Sequence, residues 1–313
     1  MTAGGVLVTG ASGFIGRDLV RRLAAAGWHV RAAARDPATV QTGPRVETAV
    51  LPDLSRPVEW APLLGGMTHV VHLAGIAHAT RSIPEATYRA VNAEAVGTLA
   101  AASKSAGIER VVMVSSIRAQ CGACAEGVVT EADAPRPDDA YGRAKLAGEQ
   151  YLAEALAGSD TGWCVLRPVL VYGPGVKGNM AALARLARLP LPLPLGALGA
   201  RRSLLGLANL AAAVEHALVS PAASRRVFLL ADPDPMTVPA IVTAMRVGLG
   251  RARGIVPVPL APLRFAARLA GRAAAWQRIA GDLVVSTAAL EASGWIPVEN
   301  ACDGIVGWMR EAR

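Results

Sequence analysis

Tyr141 and Lys145 are the two residues whose types and spacing most directly indicate chemistry in this sequence. Residues four apart share one face of a helix, so both side chains reach the same site. An isolated tyrosine has a pKa of ~10, which is too high for acid–base work at neutral pH. Because a nearby ammonium favours the phenolate, we expect Lys145 to lower the pKa of Tyr141. The pair predicts proton transfer to or from a substrate oxygen.

A serine at the end of a predicted strand supplies the third group of this candidate site. The apolar residues 111–115 form that strand, and Ser115 and Ser116 stand at its end. A hydroxyl placed there stabilises charge that develops on the substrate oxygen. We assign this role to Ser116 and keep Ser115 as the alternative.

Three glycines between the first predicted strand and the first predicted helix indicate a cofactor. Gly10, Gly13 and Gly16 are spaced so that the backbone can turn tightly and approach a pyrophosphate closely. The helix N-terminus adds N–H donors and a positive dipole. Together with the Tyr-Lys pair, this loop predicts hydride transfer between a nicotinamide dinucleotide and a carbonyl or alcohol.

The end of the second predicted strand distinguishes NADP(H) from NAD(H). An acidic residue there would bind the ribose hydroxyls of NAD, but Ala34 and then Arg35 occupy the position. Arginine can hold a 2′-phosphate, so we favour NADP(H), with a solvated arginine as the alternative. Asp36 is expected to cap the following turn.

After the third strand, Asp53 and Leu54 are predicted at the adenine edge, although Asp53 is also a candidate helix cap.

Residues after the fourth predicted strand complete the cofactor side. Ala74 and Gly75 let the backbone pass close to the cofactor, and Asn92 is a buried amide that needs partners and is placed to brace this strand. His78 lies on the following loop. It is a candidate sugar contact, with a solvent-facing loop histidine as the alternative.

The chain alternates short apolar runs with helical stretches, which predicts an α/β fold with a doubly wound parallel sheet. The expected strands are residues 6–9, 30–34, 46–51, 69–74, 111–115, 164–166 and 227–231, with a long helix over 83–106 and another over 207–219. We expect a dinucleotide-binding Rossmann domain formed by residues 1–172 and 206–232. Residues 173–205 and 233–313 are expected to form a smaller C-terminal substrate-binding lobe.

Composition narrows the class of protein. The 313 residues carry a net charge of +8, but the basic residues are scattered and aromatic residues make up only 4%, so we expect no nucleic-acid partner. No apolar run is as long as a membrane span, and no signal peptide is evident, so we expect a cytoplasmic protein. Cys121 and Cys124 form a CxxC without a second pair, and no metal site is expected.

The sequence resembles the extended short-chain dehydrogenase/reductases, in the nucleotide-sugar epimerase/dehydratase branch. The matching motifs are TGASGFIG at 9–16, HLAG at 72–75, VSS at 114–116, YGRAK at 141–145 and LRPVLVYGPG at 166–175. The resemblance implies Ser116, Tyr141 and Lys145 as catalytic residues, and a homodimer. It also implies cofactor contacts from further motif residues, namely Ser12, Phe14, Ile15, Leu73, Pro168 and Val169.

The resemblance also implies substrate contacts. Asn179 would begin the helix that contacts the nucleotide, and Leu195, in an extended proline-rich segment at 189–196, would lie beside the uracil. Arg202 would bind the diphosphate through its bidentate fork, unless it is a surface charge, and Arg278 is a second candidate. The run PLPLG…RRSL…NL is most similar to bacterial UDP-N-acetylquinovosamine-type reductases and to UDP-glucose 4-epimerase-like proteins.

Three absences favour a simple reductase or dehydrogenase that acts at one carbonyl. The acidic pair of the family's 4,6-dehydratases is replaced by Ile117 and Arg118, and the Cys and His of its epimerase-reductases are missing. The acidic residue of NAD-holding 4-epimerases is missing at Ala34. We therefore expect reduction of a UDP-4-keto-6-deoxy-N-acetylhexosamine. The alternatives are a 4-epimerase with tightly bound NAD, a reductase of a non-sugar carbonyl, and a regulatory protein that senses NADP.

Overall fold

The computed structural model describes residues 4–312, except residues 78–82, 262–263, 265–270, 272–275 and 277–279. The strands are Gly5–Thr9 (β1), His29–Ala34 (β2), Val46–Val50 (β3), His69–His72 (β4), Arg110–Val114 (β5), Val128–Val129 (β6), Gly162–Pro168 (β7), Leu170–Tyr172 (β8), Arg201–Arg202 (β9), Leu204–Gly206 (β10), Arg226–Leu230 (β11), Met236–Thr237 (β12) and Val284–Val285 (β13). The α-helices are Phe14–Ala25 (α1), Ala61–Leu64 (α2), Glu85–Arg89 (α3), Ala95–Ser105 (α4), Ala140–Ala155 (α5), Gly178–Ala187 (α6), Leu207–Val219 (α7), Val238–Gly248 (α8), Ala288–Glu291 (α9) and Ala301–Glu311 (α10).

In the described part of the chain, seven parallel strands form the main sheet in the order β11-β7-β5-β4-β1-β2-β3. The predicted α/β fold is confirmed. The strand order reverses between β1 and β4, and in open α/β sheets a ligand crevice lies at this point, beyond the carboxyl ends of the strands. The glycine loop follows β1 at that edge, and Ser115 and Ser116 follow β5.

Apolar side chains cover both faces of the sheet. Along β1, Val6 and Val8 point into one core cluster with α1 and α7, whereas Leu7 points into the other with α4 and α5. This alternation follows from the two-residue period of a strand. Strands buried on both faces are typical of parallel sheets and explain the continuous apolar runs in the sequence.

A third apolar cluster lies apart from the sheet and joins α6, α8 and α10. A buried polar group joins the same region to the chain just after β11, the edge strand of the main sheet. The Tyr172 hydroxyl donates to Asp232 Oδ2 at 2.8 Å, and Asn209 Nδ2 donates to Asp232 Oδ1 at 2.7 Å. Burial raises the pKa of the Asp232 carboxyl, and these donors oppose that rise.

Two expectations about local structure need correction. The helix predicted over residues 83–106 is α3 and α4 joined by a π-helical turn, Ala90–Glu94, that places Asn92 inside the protein. The proline-rich segment 189–196 is not extended throughout. Leu193 forms an isolated bridge with Ile255, but residues 194–197 turn, and Leu198 N donates to Leu195 O at 3.0 Å.

Candidate active site

The glycine loop forms a cradle that only a backbone without side chains can make. Gly10 has a φ of +74°, and a Cβ there would lie 2.9 Å from Ala74 N. A Cβ on Gly16 would overlap the carbonyl oxygen of Gly10. Gly13 is the N-cap of α1, whose first turn presents its N–H groups to the loop. The loop and the backbones of Ser12, Phe14 and Ile15 therefore fit a dinucleotide pyrophosphate.

The residues at the end of strand β2 bear on the expected choice between NADP(H) and NAD(H). Ala34 is buried at the end of β2, and Arg35 is exposed directly after it. Asp36 accepts a hydrogen bond from Ala38 N at 3.1 Å and caps a short turn, as expected. Asp53 accepts from Ser55 N at 3.0 Å, which lowers the pKa of its carboxyl, with smaller contributions from Arg56 and Arg35. Arg35 and Asp53 thus lie at one edge of the crevice.

The segment after β4 is fixed by a buried amide. Asn92 Oδ1 accepts from Ile76 N at 2.9 Å, and Asn92 Nδ2 donates to Ile76 O at 3.0 Å. A Cβ on Gly75 would lie 2.6 Å from Asn92 Oδ1. Asn92 therefore acts on the cofactor side by bracing residues 74–76. Leu73 and Ala74 follow β4 at the crevice, and the Ala74 N–H donates to Thr9 Oγ1 at 3.3 Å.

The side chains of Ser116 and Tyr141 lie close enough for the Ser116 hydroxyl to lower the pKa of Tyr141. Ser116 precedes a short 3₁₀ turn, Ile117–Ala119, and its Oγ accepts from Arg118 N at 3.2 Å. Tyr141 lies in the first turn of α5, and its ring meets Tyr88 edge-on with centroids 6.2 Å apart. Two hydroxyl groups thus meet at the crevice, where one substrate oxygen can bond to both.

The expectation that Lys145 lowers the pKa of Tyr141 is wrong for this structure. Burial raises the pKa of Tyr141 to about 12, and the nearby Ser116 hydroxyl has the largest effect in the opposite direction. Lys145 is itself buried, which lowers its own pKa to about 8, and its Nζ donates to Val114 O at 3.2 Å. The structure therefore holds Tyr141 as a protonated phenol at neutral pH.

Ser115 is engaged elsewhere, in a buried ionic group that sequence reasoning missed. Its hydroxyl donates to Glu149. The same carboxylate accepts hydrogen bonds from Arg167 Nε at 3.1 Å and from Arg167 Nη2 at 2.5 Å. A further Arg167 nitrogen, Nη1, donates to Gln120. The members lie far apart in sequence, so no local pattern reveals them. Because Ser115 serves this group, Ser116 is the hydroxyl that faces Tyr141.

The predicted substrate contacts are only partly brought together. Arg202 is half-buried, and its guanidinium donates to Gly281 O and Ala123 O, each at 2.7 Å. Asn179 is exposed at the start of α6, and Leu195 is half-buried in the turn at 194–197.

The four remaining predicted contacts are Pro168, Val169, His78 and Arg278, and the structure describes only the first two. Pro168 and Val169 are buried at the end of β7. His78 and Arg278 lie outside the described residues.

The described ranges contain neither a cluster of candidate metal ligands nor a helix that could span a membrane. Across residues 4–312, outside the gaps, no three His, Cys, Asp or Glu side chains are grouped as metal ligands would be. The CxxC thiol Cys121 is half-buried, and burial raises its pKa, so the thiolate that binds metals is disfavoured. None of the helices in those ranges is both long and apolar enough to cross a bilayer.

A parallel sheet with a glycine cradle at its switch point and a Ser-Tyr-Lys group beside it defines a dinucleotide-dependent oxidoreductase of the Rossmann class. Comparison with known proteins identifies the family. A model of the "NAD dependent epimerase/dehydratase family" matches residues 6–231. This chain belongs to that family, and it is an NAD(P)-dependent enzyme of the nucleotide-sugar epimerase/dehydratase type.

Individual relatives extend over most of the chain. It is similar to the UDP-glucose 4-epimerase of Vibrio cholerae, with 29% identity over 96% of this chain and 92% of the relative. It is also similar to the 2'-dehydrokanamycin reductase of Streptomyces kanamyceticus, with 31% identity over 81% of this chain and 69% of the relative. Among solved structures, MoeE5 in complex with UDP-glucose and NAD has a TM-score of 0.76 at 26% identity and 99% coverage of both chains.

Proposed function

We propose that this protein is an NADPH-dependent reductase that acts at C4 of a UDP-linked 4-keto-6-deoxy-N-acetylhexosamine. The observation that carries the proposal is the exposed Arg35 after buried Ala34, with the nearby Asp36 engaged in its own turn. An arginine there favours a 2′-phosphate, whereas a carboxylate would favour the ribose hydroxyls of NAD. A cofactor that exchanges freely suits net reduction of a substrate.

The protonation state of Tyr141 also supports a reductase. When bound, a nicotinamide cofactor supplies the hydride. Tyr141, which burial keeps protonated, gives its proton to the developing alkoxide oxygen, and the Ser116 hydroxyl stabilises that oxygen by hydrogen bonding. Lys145 lies one helical turn after Tyr141 with its Nζ anchored to Val114 O, and it would hold the nicotinamide ribose when the cofactor is bound.

The substrate class rests on full-length similarity and on candidate contacts. The relative named for UDP-glucose and the structure that holds UDP-glucose both align over most of this chain, which supports a UDP-sugar substrate. We propose that Asn179, Leu195 and Arg202, in the lobe formed by residues 173–205 and 233–313, contact the nucleotide. Arg202 would use its fork on the diphosphate.

A 4-epimerase with tightly bound NAD is the second candidate. The similarity to the Vibrio cholerae epimerase favours it, because that alignment covers both chains almost completely. An epimerase would use Ser116 and Tyr141 twice, first to oxidise the sugar and then to reduce it after the sugar has rotated.

We further propose that the enzyme is cytoplasmic and forms a homodimer through α4 and α5, which pack against each other on one face of the sheet.

The experiment is to identify the nucleotide released when the purified enzyme is denatured, and then to assay NADPH and NADH oxidation with the UDP-4-keto-sugar. No retained nucleotide, together with NADPH-dependent turnover, is the expected result. Stoichiometric NAD and interconversion of UDP-sugars without net oxidation would instead establish the epimerase. Failure of any UDP ligand to bind would point to a non-sugar carbonyl.

A further inference from the structure

We propose that Arg118 is a positioning residue that holds the Ser116 hydroxyl and the Tyr141 hydroxyl at a fixed separation. The inference rests on the catalytic roles proposed above for these two residues. Ser116 follows strand β5, whereas Tyr141 lies 25 positions later on helix α5. Two groups on separate elements keep a constant distance only if something ties the elements together.

The first tie runs through the backbone of Arg118. Its N–H donates to Ser116 Oγ at 3.2 Å, which orients the hydroxyl that faces the tyrosine. Its carbonyl oxygen lies against Gly142, so closely that a Cβ on Gly142 would overlap it. Arg118 therefore touches the residue after Tyr141 with the same peptide segment that orients Ser116.

The second tie runs through the guanidinium. Arg118 Nη2 donates to Asp139 Oδ2 at 2.8 Å and to Asp138 Oδ1 at 2.5 Å. Asp139 is the N-cap of α5, and its Oδ1 accepts from Gly142 N at 2.7 Å. Tyr141 thus sits between the two residues of α5 that Arg118 contacts. A closed chain of contacts runs from Ser116 through Arg118 and Asp139 back to the turn that carries Tyr141.

The geometry of the arginine suits this task. The side chain of Arg118 is 20% exposed, and its Nη1 is enclosed with no hydrogen-bond partner among the described residues. The guanidinium is planar, with Nη1 packed inside the protein and Nη2 paired with two carboxylates, so it has little freedom to move. A lysine would keep the charge but lose the fork, so it would restore the positioning only in part.

Charge near Tyr141 provides a readout that a purely structural role would not move. Arg118 lowers the pKa of Tyr141, whereas Asp139 and Tyr88 raise it. The other nearby ions are Lys145 on the same helix and Arg143, which pairs with Glu85 of α3 at 2.8 Å. Removing Arg118 raises the pKa of the phenol, and neutralising Asp139 lowers it. The two changes therefore shift the pH profile in opposite directions.

The test compares Arg118→Ala, Arg118→Lys, Asp139→Asn and the Arg118→Ala/Asp139→Asn double variant with wild type. Asparagine is also a good N-cap, so Asp139→Asn removes the ion pair while it keeps the helix capped. Arg143→Ala is the matched control, since it removes another ion pair of α5 that does not reach Ser116. The measurements are kcat and KM for NADPH and keto-sugar, and the pH profile of alcohol oxidation.

We expect Arg118→Ala to lower kcat by roughly 10- to 100-fold, the effect of a misplaced reacting group, with both KM values changed less than about threefold. Arg118→Lys recovers part of the loss, the double variant is less than additive, and Arg143→Ala behaves as wild type. In the oxidation direction Tyr141 acts as the base, so its pKa sets the acidic limb of the pH profile, and this limb moves to higher pH in Arg118→Ala and to lower pH in Asp139→Asn. Wild-type kcat in Arg118→Ala, or an equal loss in Arg143→Ala, would overturn the inference. An inactive wild type would instead refute the proposed function.

Discussion

Arg167 and Glu149 form an ion pair inside the protein, with an Nη2–Oε2 distance of 2.5 Å and side chains that are 6% and 4% exposed. Arg167 is on β7 and Glu149 on α5, two turns after Tyr141. Ser115 donates to the same carboxylate, one residue before Ser116. The pair therefore anchors α5, the helix that carries Tyr141, to strand β7 of the sheet.

Breaking this pair from one side is expected to destabilise the protein strongly. Glu149→Gln or Arg167→Met leaves one buried charge without its partner, which costs about 3–5 kcal/mol of unfolding free energy. Urea denaturation measures the loss. The double variant Glu149→Gln/Arg167→Met should cost less than the sum of the single changes, because neither buried charge remains. Additive single and double effects would show that the two residues act independently.

Alanine variants of the two adjacent serines are expected to affect different properties, kcat for Ser116 and stability for Ser115. Ser116→Ala removes the hydroxyl that contacts Tyr141, and loss of such a donor lowers kcat by about 10²–10³-fold. Ser115→Ala should mainly lower stability, since its partner is Glu149. Steady-state kinetics and urea denaturation of both variants test this. A larger fall in kcat for Ser115→Ala would transfer the catalytic role to Ser115.

Arg35 is expected to determine cofactor choice. Arg35→Ala removes a charge-assisted hydrogen bond worth about 1.5–3 kcal/mol, so the KM for NADPH should rise about 10- to 100-fold. The KM for NADH should change less than about twofold, because NADH lacks the 2′-phosphate. Arg45→Ala is the control, as Arg45 donates to Gly27 O, before the start of β2. Equal effects on both cofactors would remove the basis for the NADP(H) assignment.

A buried histidine is expected to make stability depend on pH. His72 bonds to Thr9 Oγ1 through Nδ1 at 2.9 Å, and burial lowers its pKa to about 3 from 6.5. Between these values the unfolded chain binds more protons than the folded one, so the free energy of unfolding falls as the pH drops from 6.5 towards 3. His72→Asn should remove this share of the acid destabilisation, whereas exposed His29→Asn should not. Unfolding at several pH values distinguishes the two variants.

The sequence predicted those parts of the fold whose signals are local. Helix α7 has the predicted bounds, and each of the seven predicted strands lies within a few residues of a strand of the sheet. The cofactor loop could be predicted from Gly10 and Gly16, because the backbone at these two positions leaves no room for a side chain. The π-helical turn around Asn92 was missed, because it interrupts one continuous helical pattern and depends on contacts with residues 74–76.

Tertiary contacts account for what the sequence did not reveal. The pKa of Tyr141 was expected to fall because of Lys145, but burial of the phenol outweighs any neighbouring charge. In the sequence, Arg118 indicates only that the acidic pair of a dehydratase is absent. Its pairing with Asp139, 21 positions away, needs the folded chain. Glu149 and Arg167 likewise carry no motif that indicates a buried pair.

The most direct test of the account is isotope transfer from C4-deuterated NADPH, with each stereospecifically labelled form tried in turn, to the UDP-4-keto-sugar. We expect one deuterium at C4 of the product for each NADPH oxidised with one of the two labelled forms, and loss of this transfer in Tyr141→Phe. Interconversion of UDP-sugars with no NADPH consumed and no deuterium in the sugar would contradict it.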